Sequence, residues 1–235
     1  NIGAFGGDAG NVTIFGQSGG GSKVAVMMAT PRAKGLFHKA IIQSSSSHLQ
    51  LATPESAARS THALLKALGL EGQGPEAVQK VPAGALLKAY NTAVKTRNGN
   101  DSFRPLVDGR TILNHPFDLS APDLASDIPV MVGSCETEKS FYDITVEPDK
   151  LALNEDQLHA QIARFVGVDA KQAAALIAGY RESRPGLNGR DTYNLITSDH
   201  MYRRNNVEAA ERKVKQGGAP AYLYEFTWKT PVLGG

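Results

Sequence analysis

The sequence predicts an α/β fold: a mostly parallel sheet with helices on both faces and helical insertions between the strands. Short β-branched or aromatic runs read as strands. Long stretches with helical spacing separate them, an alternation that implies parallel pairing. The insertions are long enough to form a helical cap or flank over one edge.

The elements follow in order. Asn11-Val12-Thr13-Ile14-Phe15 predicts a buried strand, and a helix is expected over Ser22 to Ala29. Thr30-Pro31 ends that helix, because proline disfavours helical backbone in the residue before it. Lys39-Ala40-Ile41-Ile42-Gln43 predicts a second buried strand. Between Glu55 and Leu70 the positions Ala57, Thr61, Leu64, Leu65 and Leu68 share a helical face. Helical patterning resumes between Pro75 and Val94, with an interruption near Pro82 and Gly84. Pro129-Val130-Met131-Val132-Gly133-Ser134 is a third strand running into a loop. Helices are expected over Glu155 to Val166, Ala170 to Arg181 and Thr192 to Gln216. In the last, Val207, Ala210 and Val214 fall on one face, and Glu208, Glu211, Arg212 and Lys213 are expected outside. Ala221-Tyr222-Leu223-Tyr224-Glu225-Phe226 alternates enough to lie near a sheet edge.

Composition narrows the function. With 41% hydrophobic and 20% charged residues, the chain can bury a core and is not a disordered tail. A formal net charge of +2 argues for neither nucleic acid nor an anionic membrane. The apolar run Val24 to Ala29 is too short to span a bilayer. Cys135 is the single cysteine, so no intrachain disulfide is possible. That fits a reducing compartment, or a protein large enough not to need staples. Cys135 itself reads as a small buried hydrophobe. No spacing of His, Cys and carboxylates resembles a metal site.

The chemistry concentrates at Gly16-Gln17-Ser18-Gly19-Gly20. Gly-x-Ser-x-Gly at a strand-to-helix turn is the pattern of a nucleophile elbow. The glycines are steric, since side chains at those positions would collide in so sharp a bend. The serine is held in a strained conformation with its hydroxyl exposed. The N–H of Gly19, at a helix N-terminus, can stabilise an oxyanion. The pattern alone is weak. A strand before it and a helix after it supply the context that it needs.

From Phe5-Gly6-Gly7-Asp8 through Gly16-Gln17-Ser18-Gly19-Gly20, the chain resembles the signature of type B carboxylesterases, the para-nitrobenzyl esterase and cholinesterase family of α/β-hydrolases. Gly35-Leu36-Phe37-His38, Phe103-Arg104-Pro105-Leu106, Pro129 to Ser134 and Ala221 to Phe226 with Trp228 resemble later segments of that family in the same order. The family carries Glu before and Ala after the serine, where this chain has Gln17 and Gly19. The resemblance implies that residues 1–235 form the central to C-terminal part of one α/β-hydrolase domain.

It also implies roles. Ser18 would be the nucleophile and Glu138 the acid that orients a histidine, with Glu136 close enough to compete for that assignment. Phe141 and Tyr142 would line the alcohol side of the substrate pocket, or would pack under the acid loop. Gly99 and Asp101 fall where cholinesterases narrow the acyl pocket, which implies a wider, more polar one. The family's catalytic histidine comes shortly after the last strand and its Trp. None of the histidines in this chain matches it, so His159 and His200 are weak candidates and the base is expected beyond Gly235. Half of the oxyanion hole is expected upstream of Asn1. The function expected is ester hydrolysis through an acyl-enzyme, with a small carboxylic ester as substrate and no cofactor. A complementary fragment of the same protein would complete the site, and neither nucleic acid nor membrane would be a partner. A bacterial protein of the cytoplasm or periplasm is expected. The rival is an interaction protein that keeps the fold without the activity.

Overall fold

The computed structural model describes residues 1–93, 103–145 and 152–231. Gly99, Asp101 and Gly235 lie outside the described residues. Among those residues, β1 (Thr13–Gln17), β2 (Lys39–Gln43), β3 (Val130–Cys135) and β4 (Ala221–Phe226) form one sheet in that order. Every pair is parallel. Their C-terminal ends therefore share one rim.

This order decides where the helices go. A parallel crossover is right-handed, so four strands laid down one after another send every connection over the same face. α1 (Gly19–Met28) packs on β1 and β2, and α9 (Arg204–Gln216) on β3 and β4. Val24, Ala25 and Met28 of α1 meet Ala40, Ile42, Val130 and Val132 of the sheet. Ala209 and Ala210 of α9 and the loop residue Phe117 complete this core.

The sequence expects helices on both faces; among the described residues, α1 and α9 cover one. On the other, Phe15, Ile41, Met131 and Tyr222 stand side by side in register across all four strands. Phe15 is 72% exposed, Met131 41% and Tyr222 55%. An all-parallel sheet ordinarily has both faces covered. β1 is thus an edge strand with alternating exposure, not the buried strand that its composition suggests. β4 occupies the opposite edge, as its alternation predicts. Cys135 also faces the open side and is exposed rather than buried.

Two helical insertions carry small cores of their own. Between β2 and β3, α2 (Pro54–Leu68) is followed by α3 (Pro75–Gln79) and α4 (Ala83–Ala93), and Leu64 packs on Ala89. Between β3 and β4 come α5 (Lys139–Thr145), α6 (Glu155–Val166), α7 (Ala170–Ser183) and α8 (Gly189–Ser198). Leu158, Ile162, Ala173, Ile177, Tyr193 and Ile196 join the last three. Capping boxes start three of these helices, at Thr53 with Ser56, Asn154 with Gln157 and Asp169 with Gln172. Each satisfies two helix-end groups reciprocally.

The long last helix of the sequence reading is three pieces. A π-helical turn, Asp199–Arg203, separates α8 from α9. α9 is also rotated from the expected face. It buries Asn206, Ala209, Ala210 and Lys213, and leaves Val214 66% exposed. Alanines let the helix approach the sheet closely. Lys213 is tolerated because its ammonium donates to the Ala125 and Ser126 carbonyls and to Gln216 Oε1, at 2.8, 2.8 and 2.9 Å. A buried ammonium with three acceptors escapes most of its desolvation cost.

Candidate active site

The turn at the end of β1 is built from backbone. Ser18 has φ 56° and ψ −122°, a conformation that a side chain makes costly. Its N–H donates to the Gln43 carbonyl of β2 at 2.8 Å, and its carbonyl accepts the Ser22 N–H at 3.2 Å. A methyl group at Gly16 would run into the Gly20 peptide, so the strand and helix can meet this closely only without a side chain there. Ser18 and Gly19 are exposed, and Gly19 is the first residue of α1.

Hydroxyl groups support this turn from below. Ser22 Oγ of α1 lies 2.8 Å from both Ser45 Oγ and Ser47 Oγ. His48, fully buried, sets Nδ1 2.9 Å from the Ser45 carbonyl and Nε2 3.1 Å from the Asn205 carbonyl. Burial holds its pKa down at about 4, against the pull of those carbonyls and of Glu208.

Glu138 sits on the same rim, at the end of β3. The Cys135 N–H donates to its Oε1 at 2.7 Å. Partial desolvation and the adjacent Glu138 push the Cys135 thiol above its ordinary pKa. β2 separates β1 from β3, so the strands carrying Ser18 and Glu138 are roughly 10 Å apart. Glu136 turns elsewhere and pairs with Arg184 Nη1 at 3.0 Å. Phe141 is 65% exposed beside Glu138, and its ring meets Tyr142 edge-on at 5.7 Å. Lys139 is buried with its ammonium 4.8 Å from the Tyr142 ring centre.

A cavity of about 670 Å³ opens on the acid side of the rim. Glu136, Glu138, Phe141, Arg184, Phe226 and Trp228 are among its walls. That volume suits a small organic ligand. Ser18, Gly19 and Tyr142 are not on its walls.

Among the described residues, no histidine hydrogen-bonds to Ser18. His38 and His115 spend Nδ1 accepting the Val12 and Leu51 N–H groups. His200 lies in the π-helical turn with its ring 6.0 Å from Phe165, its pKa lowered by burial and by Arg204. Sequence reasoning gave no role to Arg184, Ser198 or Arg203. Only the Asp199/Arg203 spacing of four residues hinted at a pair, and it is one, at 3.7 Å.

Known proteins share this architecture. The Bacillus subtilis para-nitrobenzyl esterase is 33% identical over 232 residues, covering 97% of this chain and 44% of that protein. The phenmedipham hydrolase of Pseudarthrobacter oxydans is 27% identical over 239 residues, covering 100% of this chain and 46% of its own. A carboxylesterase crystal structure from Geobacillus stearothermophilus superposes with a TM-score of 0.79 at 33% identity, over 99% of this chain and 47% of that one. The chain thus spans just under half the length of these relatives, and its fold is that of the α/β-hydrolase carboxylesterases. Among the described residues, no helix is long and apolar enough to cross a membrane. The description "Carboxylesterase family" matches residues 1–232, and the chain belongs to that family.

Proposed function

We propose that this chain carries the nucleophile and the acid of a serine carboxylic-ester hydrolase. The observation that carries the reading is the exposed Ser18 at φ 56°, on the same rim of a parallel sheet as Glu138. Ser18 Oγ attacks the ester carbonyl while a histidine takes its proton. The Gly19 N–H stabilises the oxyanion. The alkoxide leaves with the histidine's proton, and water then releases the acyl group by the same steps in reverse roles. Glu138 orients the histidine and stabilises its charged form; Glu136, already paired with Arg184, is the poorer choice. Phe141, on the cavity wall, contacts the alcohol portion of a small ester, with Tyr142 packed behind it. The chemistry needs no cofactor.

The histidine comes from outside these residues. The partner that completes the site is the remaining part of a family-length esterase. Support comes from the coverage of the relatives and from the open sheet face, which such a part would cover.

Two measurements test this. A fluorophosphonate probe should label Ser18 in a family-length esterase containing this chain, and Ser18→Ala should abolish labelling; an unlabelled serine refutes the assignment. The 235-residue chain alone should hydrolyse p-nitrophenyl acetate no faster than its Ser18→Ala variant. Clear Ser18-dependent turnover would show that the base lies within it.

A further inference from the structure

The acid loop is held from behind by the junction between α8 and α9. Ser198, the last residue of α8, is 1% exposed. Its Oγ accepts the N–H of Lys139, the peptide immediately after Glu138, at 3.0 Å across 59 positions of sequence. On the other side of Glu138, the Cys135 N–H meets the carboxylate and the Glu136 N–H donates to the Phe226 carbonyl of β4 at 3.0 Å. The acid is therefore gripped between two fixed peptides. One belongs to the sheet, and the other hangs from Ser198.

The anchor is itself fixed. The π-helical turn begins directly after Ser198. Tyr180 OH of α7 donates to Asp199 Oδ2 at 2.6 Å. Asp199 pairs with Arg203, and Arg203 pairs with Glu225 of β4. These contacts tie α7, the turn and β4 together around Ser198. π-Helical turns occur often at functional sites, because they re-aim side chains that a regular helix would space differently.

We propose that Ser198 is a positioning residue for Glu138, setting the carboxylate through the Lys139 N–H while the π-helical turn holds Ser198 in place. The inference rests on the esterase reading for the meaning of the acid, but not for its test. Without the hydroxyl, a buried N–H loses its acceptor and the start of α5 can shift. The carboxylate then leaves the Cys135 N–H.

Amide exchange by NMR on the 235-residue chain reads this without turnover. In Ser198→Ala, the Cys135 amide should exchange roughly tenfold faster, the equivalent of one lost hydrogen bond. The neighbouring Glu136 amide, bonded to β4, should change less than about twofold. Ser198→Thr should restore slow exchange; a melting curve checks that it folds, and the Ala variant decides the matter alone if it does not. An unchanged Cys135 amide, or equal acceleration of Cys135 and Glu136, would overturn the proposal. Failure of the fluorophosphonate probe to label Ser18 would instead remove the esterase reading and leave the exchange result standing.

Discussion

The two loops that the reading assigns to catalysis are built on opposite principles. The Ser18 turn is local: one strained residue, glycines that let β1 and α1 touch, and backbone hydrogen bonds to the adjacent strand. The Glu138 loop is assembled from afar. Beyond the local Cys135 N–H, its contacts come from Ser198 and, at Glu136, from Phe226 and Arg184. The first stores strain to project a hydroxyl. The second removes freedom from a carboxylate with little strain. A nucleophile must be reachable, whereas an orienting acid must be still.

That contrast can be broken by substitution. The largest effect is expected at Gly16→Ala, where the new methyl meets the Gly20 peptide. Urea denaturation should show a loss of about 3 kcal/mol or more. Near-wild-type stability would mean that the turn relaxes easily and is not tightly built. Next comes the hydroxyl layer below the turn. His48 has a folded pKa of about 4 against 6.5 unfolded, so the unfolded chain binds the extra proton between those values. Stability is then fully present above pH 6.5 and falls, by on the order of 3 kcal/mol, as pH drops towards 4. His48→Gln should flatten the curve in that window; an identical slope would assign the titration elsewhere.

On the acid side, Glu138→Ala removes the acceptor of the Cys135 N–H and should cost about 2 kcal/mol. A negligible cost would show that the loop does not depend on its carboxylate. The smallest effect has the opposite sign. Ser18→Gly should raise stability by about 1 kcal/mol, because glycine adopts positive φ without penalty. A destabilised variant would mean that the turn is not strained.

The same contrast explains what was legible in the sequence. A local device leaves a local signature, so the Gly-x-Ser-x-Gly run between a strand and a helix could be read directly. α6 spans the residues expected of it, and the capping box at its start joins Asn154 and Gln157, only three residues apart. Contacts made across 48 or 59 positions, such as Arg184 with Glu136 and Ser198 with Lys139, leave no periodic trace. The facing of α9 was misread for a related reason. Val214 looks like core and Lys213 like surface until the sheet demands small residues and the Ala125 and Ser126 carbonyls gather an ammonium. β1 misled because β-branched composition reports strand propensity and not which faces are covered.

The row of Phe15, Ile41, Met131 and Tyr222 has a practical outcome. It is a greasy stripe roughly 15 Å wide on a molecule whose net charge of +2 offers little mutual repulsion. Purified alone, the polypeptide should behave as a surfactant-like particle. It should light up hydrophobic dyes, stick to phenyl resin and pair with itself as concentration rises, and Met131→Lys should make it easier to handle.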